Sequence, residues 1–324
     1  MRLLLVLFFI CSSMFANSIV DLYRTKGINA VEIELIKILQ DVDYWKSVLS
    51  NEDLRFGYLS SFDYILLSNK STQALDVYKR SNVNRFEKIF NTSIIVGEVS
   101  GDKHFEGDLK TPVGAYEIVR KKELVDPFYG PLALVTSYPN LYDISKGKNG
   151  HGIWIHGVPT SSQREMYTQG CIAMENDSLL KLDDMIDYKS SMLLINEDSY
   201  IESNLDDIAT IFASIYAWQH SWKVNDLVKY MSFYDDSFLR LKGRGVKEDI
   251  FEFRRYKNII FSRNEIKQIV FSDINIIPYP NIENKKLFKI QMHQDYWAPS
   301  FRSSDIKTLY VELKNGQIYI LTES

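Results

Sequence analysis

Two short stretches decide how this chain is interpreted: residues 152–157 read GIWIHG, and residues 168–172 read TQGCI. The first has the apolar character of a β-strand and ends at His156, while the second places Cys171 directly after a glycine. A thiol nucleophile needs a base within hydrogen-bond reach and backbone N–H donors for the oxyanion that it creates. A tight Gly-Cys turn beside a strand that carries histidine predicts that arrangement.

The composition is that of globular domains. The 324 residues carry a net charge of -4, and 45% of them are hydrophobic and 25% charged. This length allows about two to three domains. Because the net charge is negative, nothing electrostatic points to a nucleic-acid partner.

The first residues have the pattern of a cleavable export signal. Arg2 precedes an apolar run over residues 3–10, and Ala16 is a small residue at a suitable cleavage point. The run is too short to span a bilayer core of about 30 Å. We therefore expect residues 1–16 to be a signal peptide rather than a buried N-terminal helix.

Export would leave Cys171 as the single cysteine, because the other one, Cys11, lies within the signal. In an oxidising compartment an unpaired cysteine is a reactive thiol or an intermolecular link. The alternative is a buried, inert side chain. The neighbouring glycine and histidine motifs favour the reactive thiol.

The mature chain begins with a helical block over residues 17–61. Apolar residues recur at helical spacing from Val31 to Leu49, and Asn29 with Glu32 predicts the N-cap of that helix. The block is too small for a core of its own. We expect it to pack on the next domain or on a second copy of itself, as a homodimer.

Two larger blocks follow. Residues 62–198 are rich in short apolar or alternating segments bounded by Ser, Asn, Gly and Lys, which predicts a mostly-β sandwich or barrel. Residues 199–324 show amphipathic helices first, the second of them capped by Asn225, and strands afterwards. An Asn315-Gly316 hairpin turn interrupts the last strand. This order predicts an α+β domain.

The middle block carries three motifs in order: TPVGAY at residues 111–116, IHG at 155–157 and TQGCI at 168–172. Together they resemble the signatures of the L,D-transpeptidase (YkuD-type) family, over about residues 62–198. The resemblance implies that Cys171 is the nucleophile, that His156 is the base, and that the carbonyl of Gly157 orients the imidazole. The N–H groups of Gly170 and Cys171 are the expected oxyanion donors.

Other positions of this block have less certain roles. Trp154 lies two residues before His156 and is expected on the same strand face, as a wall of the substrate cleft or as a core aromatic. Gln169 stands where many family members carry His, and Ala173 where many carry Arg or Asn. No third ligand with suitable spacing accompanies His151 and His156, so neither a metal nor another cofactor is expected.

The last block resembles the nuclear-transport-factor-2-like cone, in which helices close over a bent sheet. The segments that carry this resemblance are Ala217-Trp218, Tyr256-Lys257 and Gln294-Asp295-Tyr296. The fold hosts both enzymes and binding modules, and a binding or positioning role is the expectation here. A pocket for a glycan or peptide ligand is expected to be lined by Trp218, Trp222, Phe288, Ile290 and Met292.

A YkuD-type domain followed by such a cone resembles the cell-shape-determining L,D-carboxypeptidases of helical Gram-negative bacteria. That resemblance implies a periplasmic enzyme that acts on peptidoglycan stem peptides. It would remove the terminal D-alanine of tetrapeptides through a Cys171 thioester and leave tripeptides. Two alternatives remain open. One is an L,D-transpeptidase that forms 3-3 crosslinks or attaches a protein to the wall, and the other is a wall-binding module without catalysis.

Overall fold

The computed structural model describes residues 18–159, 166–242 and 246–324. The predicted signal peptide at residues 1–16 therefore lies outside the described residues. Within those ranges, no helix combines the length and the apolar character needed to cross a membrane.

The N-terminal block is helical, as predicted, but its apolar stripe is divided among separate helices: α1 (18–26), α2 (Ile28–Leu39) and α3 (Val42–Val48). The stripe breaks because the Asp41 carboxylate accepts the N–H of Asp43 at 2.8 Å and so caps α3. The predicted cap at Asn29 is wrong. That residue lies inside α2, which begins after Gly27, a glycine with a φ of 81°.

This helical block packs on the third block. The ring of Trp45 stacks against Phe212 at 4.4 Å and against Tyr216 at 5.5 Å, both on the first helix of the C-terminal domain. Trp45, Leu49 and Leu54 belong to the same buried apolar cluster as the C-terminal core. Only the end of the block, with Phe56 and Leu59, packs on the next domain as expected. The helices pack instead on the third block, and the homodimer stays a prediction.

The middle block folds into one curled sheet of eight strands: β1 (Tyr64–Asn69), β2 (Ala74–Arg80), β3 (Phe86–Ser93), β4 (Gly114–Lys122), β5 (Ala133–Thr136), β6 (Trp154–His156), β7 (Ile172–Ala173) and β8 (Ser191–Asn196). Their order is β3-β2-β1-β8-β4-β5-β6-β7. The pairs β1–β8 and β6–β7 are parallel, and the other neighbours are antiparallel. Just after β3, Ile95 pairs with Ala173 of β7, which brings the two edges of the sheet together.

Two helices accompany this sheet, α4 (Leu141–Ser145) and α5 (Asn176–Met185). The predicted helix after the cysteine is α5, and it buries Leu179 and Leu182 against the sheet. A 3-10 turn, Pro127–Tyr129, precedes β5 and carries aromatic residues toward the end of β6.

The third block has the predicted order of helices followed by strands, except that an unpredicted two-stranded ribbon precedes the third helix. Its helices are α6 (Leu205–Lys223), α7 (Leu227–Met231) and α8 (Ile250–Ser262). Its strands are the ribbon of β9 (Leu239–Lys242) with β10 (Val246–Asp249), and the antiparallel sheet of β11 (Gln268–Pro278), β12 (Leu287–Ala298), β13 (Phe301–Lys314) and β14 (Gln317–Glu323).

The turns and caps of this block follow its sequence with one exception. Asn315 and Gly316 have φ values of 52° and 74° and connect β13 to β14, which confirms the predicted hairpin. The predicted cap at Asn225 is wrong, because Asp226 accepts the N–H of Lys229 at 2.9 Å and caps α7. Asn225 itself has a φ of 61° in the preceding turn.

The predicted lining of a C-terminal pocket is wrong for four of its five residues. All five side chains are buried in the apolar cluster that α6 forms with the sheet: Trp218, Trp222, Phe288, Ile290 and Met292. Ring contacts fill this interior, such as Trp218 on Phe271 at 5.7 Å and Trp222 on Tyr296 at 5.2 Å. Trp218, Trp222, Ile290 and Met292 therefore stabilise the domain rather than surround a cavity. Phe288 also borders a cleft of about 410 Å³.

The two large domains share a buried interface. One apolar cluster combines residues of the curled sheet, such as Ile65 and Leu194, with residues of the C-terminal sheet, such as Ile277 and Tyr310. Beside it the Lys289 ammonium, 3% exposed, lies 2.5 Å from the carboxylate of Glu117 on β4. The C-terminal domain therefore covers one face of the curled sheet.

Candidate active site

The turn that carries Cys171 depends on its glycine. Gly170 has a φ of 132°, and a Cβ at this position would lie 2.6 Å from the carbonyl oxygen of Lys110. No other residue fits both this backbone conformation and this close approach. Cys171 follows directly and leads into β7, whose pairing with β6 places the thiol next to the strand that ends at His156.

The hydroxyl of Thr168 holds the turn from one side. Its Oγ1 accepts the N–H of Gly170 at 3.0 Å and donates to the carbonyl of Cys171 at 2.6 Å. Thr168 is itself bridged to Gly97, whose N–H donates to the Thr111 hydroxyl at 2.8 Å. The TPVGAY motif thus supports the turn that carries Cys171 through the segment at residue 97.

The Cys171 thiol is partly buried and held by main-chain groups. Its Sγ lies 3.5 Å from the carbonyl oxygen of Gly152, to which it can donate. Burial raises the pKa of Cys171, while the backbone N–H of Trp154 and the charge of Lys103 lower it by less. The net direction is upward, so the resting thiol is protonated at neutral pH.

The imidazole of His156 is buried and neutral in this setting. Its Nδ1 lies 2.6 Å from the carbonyl oxygen of Gly157, and because that oxygen can only accept, Nδ1 carries the proton. The Nε2 lone pair is then free to accept a proton. Burial lowers the pKa of His156, which keeps the ring uncharged at neutral pH. The ring of Tyr129 contacts it edge-on at 5.0 Å.

The carbonyl that orients His156 is fixed by its own neighbours. Asn176 at the start of α5 accepts the N–H of Val158 at 2.9 Å and donates to the carbonyl of Val158 at 3.0 Å. The N–H of Gly157 donates to the carbonyl of Tyr129 at 2.9 Å. A Cβ on Gly157 would lie 2.1 Å from Asn176 Oδ1, so the close packing here requires glycine.

Cys171 and His156 line one cleft of about 510 Å³. Its floor and walls also include Lys103, Gly152, Tyr129, Gly157, Tyr167, Gln169 and Ala173, and its rim includes Glu106 and His151. This volume is in the range of small-ligand and peptide sites. The cleft brings a thiol, a neutral imidazole and main-chain donors together, which is the chemistry of acyl transfer.

Similarity to solved structures agrees with this geometry. The crystal structure of the helical cell shape determining protein Pgp2 from Campylobacter jejuni is similar with a TM-score of 0.81 and 39% identity, covering 88% of this chain and 99% of that chain. Its K307A mutant gives 0.83 at the same identity, with coverages of 89% and 99%. The family model of the L,D-transpeptidase catalytic domain (YkuD) matches residues 63–195. The chain belongs to the L,D-transpeptidase (YkuD) family.

The C-terminal block and more distant relatives fit the same assignment. The Cds6 C-terminal NTF2-like domain matches residues 210–324, so the predicted multidomain fold is confirmed. Bd1075 of Bdellovibrio bacteriovorus is 25% identical, with a TM-score of 0.64, over 85% of this chain and 96% of that chain. The curated relative "Putative L,D-transpeptidase YafK" of Escherichia coli is 29% identical over 99 residues, only 36% of its length.

Within the L,D-transpeptidase domain, Cys171, His156 and Gly157 all line the cleft, and their catalytic roles stay a prediction. The predicted oxyanion role of Gly170 needs correction, because its N–H already donates to Thr168. The predicted place of Trp154 on the cleft wall is also wrong. Its ring packs 5.1 Å from the ring of Tyr129, and Tyr129 lines the cleft instead. Only the backbone N–H of Trp154 approaches the thiol.

The two departures from the common family pattern lie at the cleft. Gln169 is exposed on the cleft side of the turn, and Ala173 is buried in β7. At the rim His151 lies 3.9 Å from Glu106, and both are exposed. No group of three metal-ligating side chains occurs among residues 18–159, 166–242 and 246–324.

Sequence reasoning missed three residues that shape this site. Tyr129 and Asn176 lie in unremarkable segments, 27 residues before and 20 residues after His156. Lys103 stands outside the helices and strands, in a segment that carries no sequence signal of a charged group under the turn. Each acts through tertiary contacts that no local pattern encodes.

Proposed function

We propose that this protein is a peptidoglycan L,D-carboxypeptidase that removes the terminal D-alanine from tetrapeptide stems and leaves tripeptides. The observation that carries the proposal is the single cleft that holds the Cys171 thiol and a neutral His156, whose Nδ1 is bound to the Gly157 carbonyl. The similarity to Pgp2, which is described as a helical cell shape determining protein, supports a role in cell shape. Action on peptidoglycan requires the periplasm and fits the predicted export signal.

The first half of the reaction forms a thioester. His156 Nε2 takes the proton of the Cys171 thiol as Sγ attacks the carbonyl between the diamino acid and D-alanine. The oxyanion accepts from the N–H of Cys171, the one of the two predicted donors that Thr168 does not engage. The C–N bond breaks as His156 returns the proton to the leaving amine of D-alanine.

The second half releases the tripeptide. His156 takes a proton from water, and the resulting hydroxide attacks the thioester carbonyl. The C–S bond breaks and His156 returns its proton to the sulfur. The new carboxyl group of the tripeptide then loses its proton to solvent. Water is present at about 55 M, and an acceptor amine competes only where a site holds it at a high effective molarity. The L,D-transpeptidase alternative differs in this step alone.

One experiment separates these possibilities. The purified protein is incubated with disaccharide tetrapeptide, and the products are followed by mass analysis. We expect tripeptide and free D-alanine in equal amounts with little 3-3 dimer. Dimer that accumulates faster than tripeptide at millimolar substrate would make the protein a transpeptidase.

Variants of the two reacting groups test the mechanism in the same assay. Cys171→Ala and His156→Ala should each abolish turnover, and the double variant should be no worse, because both groups serve one step. Unchanged melting temperatures would show that the fold is intact. Hydrolysis by purified Cys171→Ala protein would overturn the mechanism, and no product from any form would favour a wall-binding module.

A further inference from the structure

A buried lysine lies directly under the nucleophile turn. Lys103 is 2% exposed, and its Nζ would lie 3.4 Å from a Cβ built on Gly170. The side chain also lines the cleft that contains Cys171. A buried ammonium is unfavourable unless it is paired, so its position next to the turn needs a physical reason.

Asp108 is the ion-pair partner of this lysine. Its carboxylate lies 2.7 Å from Lys103 Nζ and also accepts the N–H groups of His104, Phe105 and Lys110. These donors and the ammonium lower the pKa of Asp108 to about 2 against the effect of burial. The carboxylate is therefore ionised at any pH at which the protein works, and it forms an ion pair with the Lys103 side chain.

The ion pair of Lys103 and Asp108 has a defined orientation relative to the cleft. Lys103 lines the cleft and Asp108 is not among the lining residues, so the positive end of the pair faces the thiol. The charge of Lys103 also acts on Cys171, whereas that of Asp108 has no comparable effect. The titratable groups that share the cleft with the thiol are Lys103, Glu106, Tyr129, His151, His156 and Tyr167.

No other cation supports the sulfur in the described part of the cleft wall. Ala173 on β7, where many family members carry Arg or Asn, is apolar and buried. His156 is neutral at rest, and His151 is exposed beside Glu106 at the rim. Burial of Cys171 disfavours a thiolate, and a fixed positive charge under the turn opposes that effect.

We propose that Lys103, held by Asp108, is a positioning residue that stabilises the negative charge of Cys171 sulfur as the thiol loses its proton. The inference rests on the proposed function for its use in catalysis. Its test does not, because the acidity of the thiol is measurable without turnover. Failure of the carboxypeptidase assay would therefore leave the outcome of this test intact.

The test measures the rate of Cys171 alkylation by iodoacetamide as a function of pH. The label is counted on the tryptic peptide that contains Cys171, so no other thiol contributes. Three variants are compared with the parent protein: Lys103→Met, Lys103→Arg, and the double variant Lys103→Met with Asp108→Asn. The double variant removes both charges and so avoids a buried, unpaired carboxylate. Lys289→Met is the matched control, because it removes another buried lysine ion pair far from the cleft lining.

In both Lys103→Met variants we expect the midpoint of the alkylation profile to move to higher pH by about one unit, the lower end of the shift that a neighbouring charge produces. Lys103→Arg should keep the parent midpoint, and so should Lys289→Met. Released D-alanine at neutral pH should fall by roughly tenfold in both Met variants. An unmoved midpoint in a folded double variant, or an equal shift in Lys289→Met, would overturn the proposal.

Discussion

The side-chain hydroxyl of Thr168 accepts the backbone N–H of Gly170 at 3.0 Å, inside the turn that presents the nucleophile. This bond removes one of the two amides expected to stabilise the oxyanion and makes it part of the support of the turn. The same hydroxyl donates to the carbonyl of Cys171, so a single side chain fixes the peptide groups on both sides of the thiol.

Replacement of Thr168 by Val should impair the turn. The variant leaves the Gly170 N–H and the Cys171 carbonyl without their partner, at about 1–3 kcal/mol for each unpaired group. We expect the rate of D-alanine release to fall at least roughly tenfold. Thr168→Ser keeps the hydroxyl and should retain most of the activity. A Val variant as fast as the parent would show that the turn does not need the clamp.

Replacement of Asn176 by Ala should act on the base instead. Asn176 fixes both main-chain groups of Val158, next to the carbonyl that holds His156 Nδ1. We expect kcat to fall roughly tenfold with little change in KM. The imidazole loses its orientation in this variant, whereas the contacts of the substrate stay the same. Asn176→Asp keeps the acceptor and loses the donor, so an intermediate rate is expected. A change confined to KM would contradict this role.

The pH dependence of kcat/KM should show an acid limb below pH 6.5, the ordinary value for His. His156 acts as a base only when neutral, and burial lowers its pKa, so the ring stays neutral to lower pH than a free histidine would. Activity should be lost as the pH falls through that lowered pKa. An acid limb centred above 6.5 would mean that the buried ring gains rather than loses basicity.

Removal of the C-terminal domain should destabilise the catalytic domain. Truncation after residue 198 would expose the apolar face around Ile65 and Leu194 and leave Glu117 without Lys289. It would also remove Tyr279, whose hydroxyl lies 3.4 Å from the buried carboxylate of Asp143. We expect aggregation or a much lower melting temperature, rather than a selective loss of binding to intact walls.

The point variant Lys289→Met is the mild counterpart of that truncation. It breaks one ion pair across the interface and should lower the melting temperature by a few degrees, corresponding to about 1–2 kcal/mol. Cleavage of soluble muropeptides should be unaffected, because Lys289 does not line the cleft. For the truncation of the preceding paragraph, a catalytic domain as stable as the whole chain would show that the shared interface contributes little to stability.

The sequence by itself identified the residues that are proposed to react and predicted the order of the domains. The motifs around His156 and Cys171 are short, and the geometry that they require arises within a few residues, such as the bond from His156 to the Gly157 carbonyl. The hairpin at Asn315-Gly316 was predictable for the same reason, because two residues with positive φ specify the turn locally.

Only the tertiary structure decided which groups surround those residues. Lys103 lies far from Cys171 in sequence, and the fold brings it under the Gly170 turn. Asn176 acts on His156 through the main chain of Val158, and this contact too depends on the fold. The C-terminal domain could not be fully predicted for the same reason. Inward-facing side chains such as Trp218 and Met292 show the same sequence periodicity whether they line a pocket or fill a core. Periodicity reports which face turns inward, and the distance between packed elements decides whether space remains there.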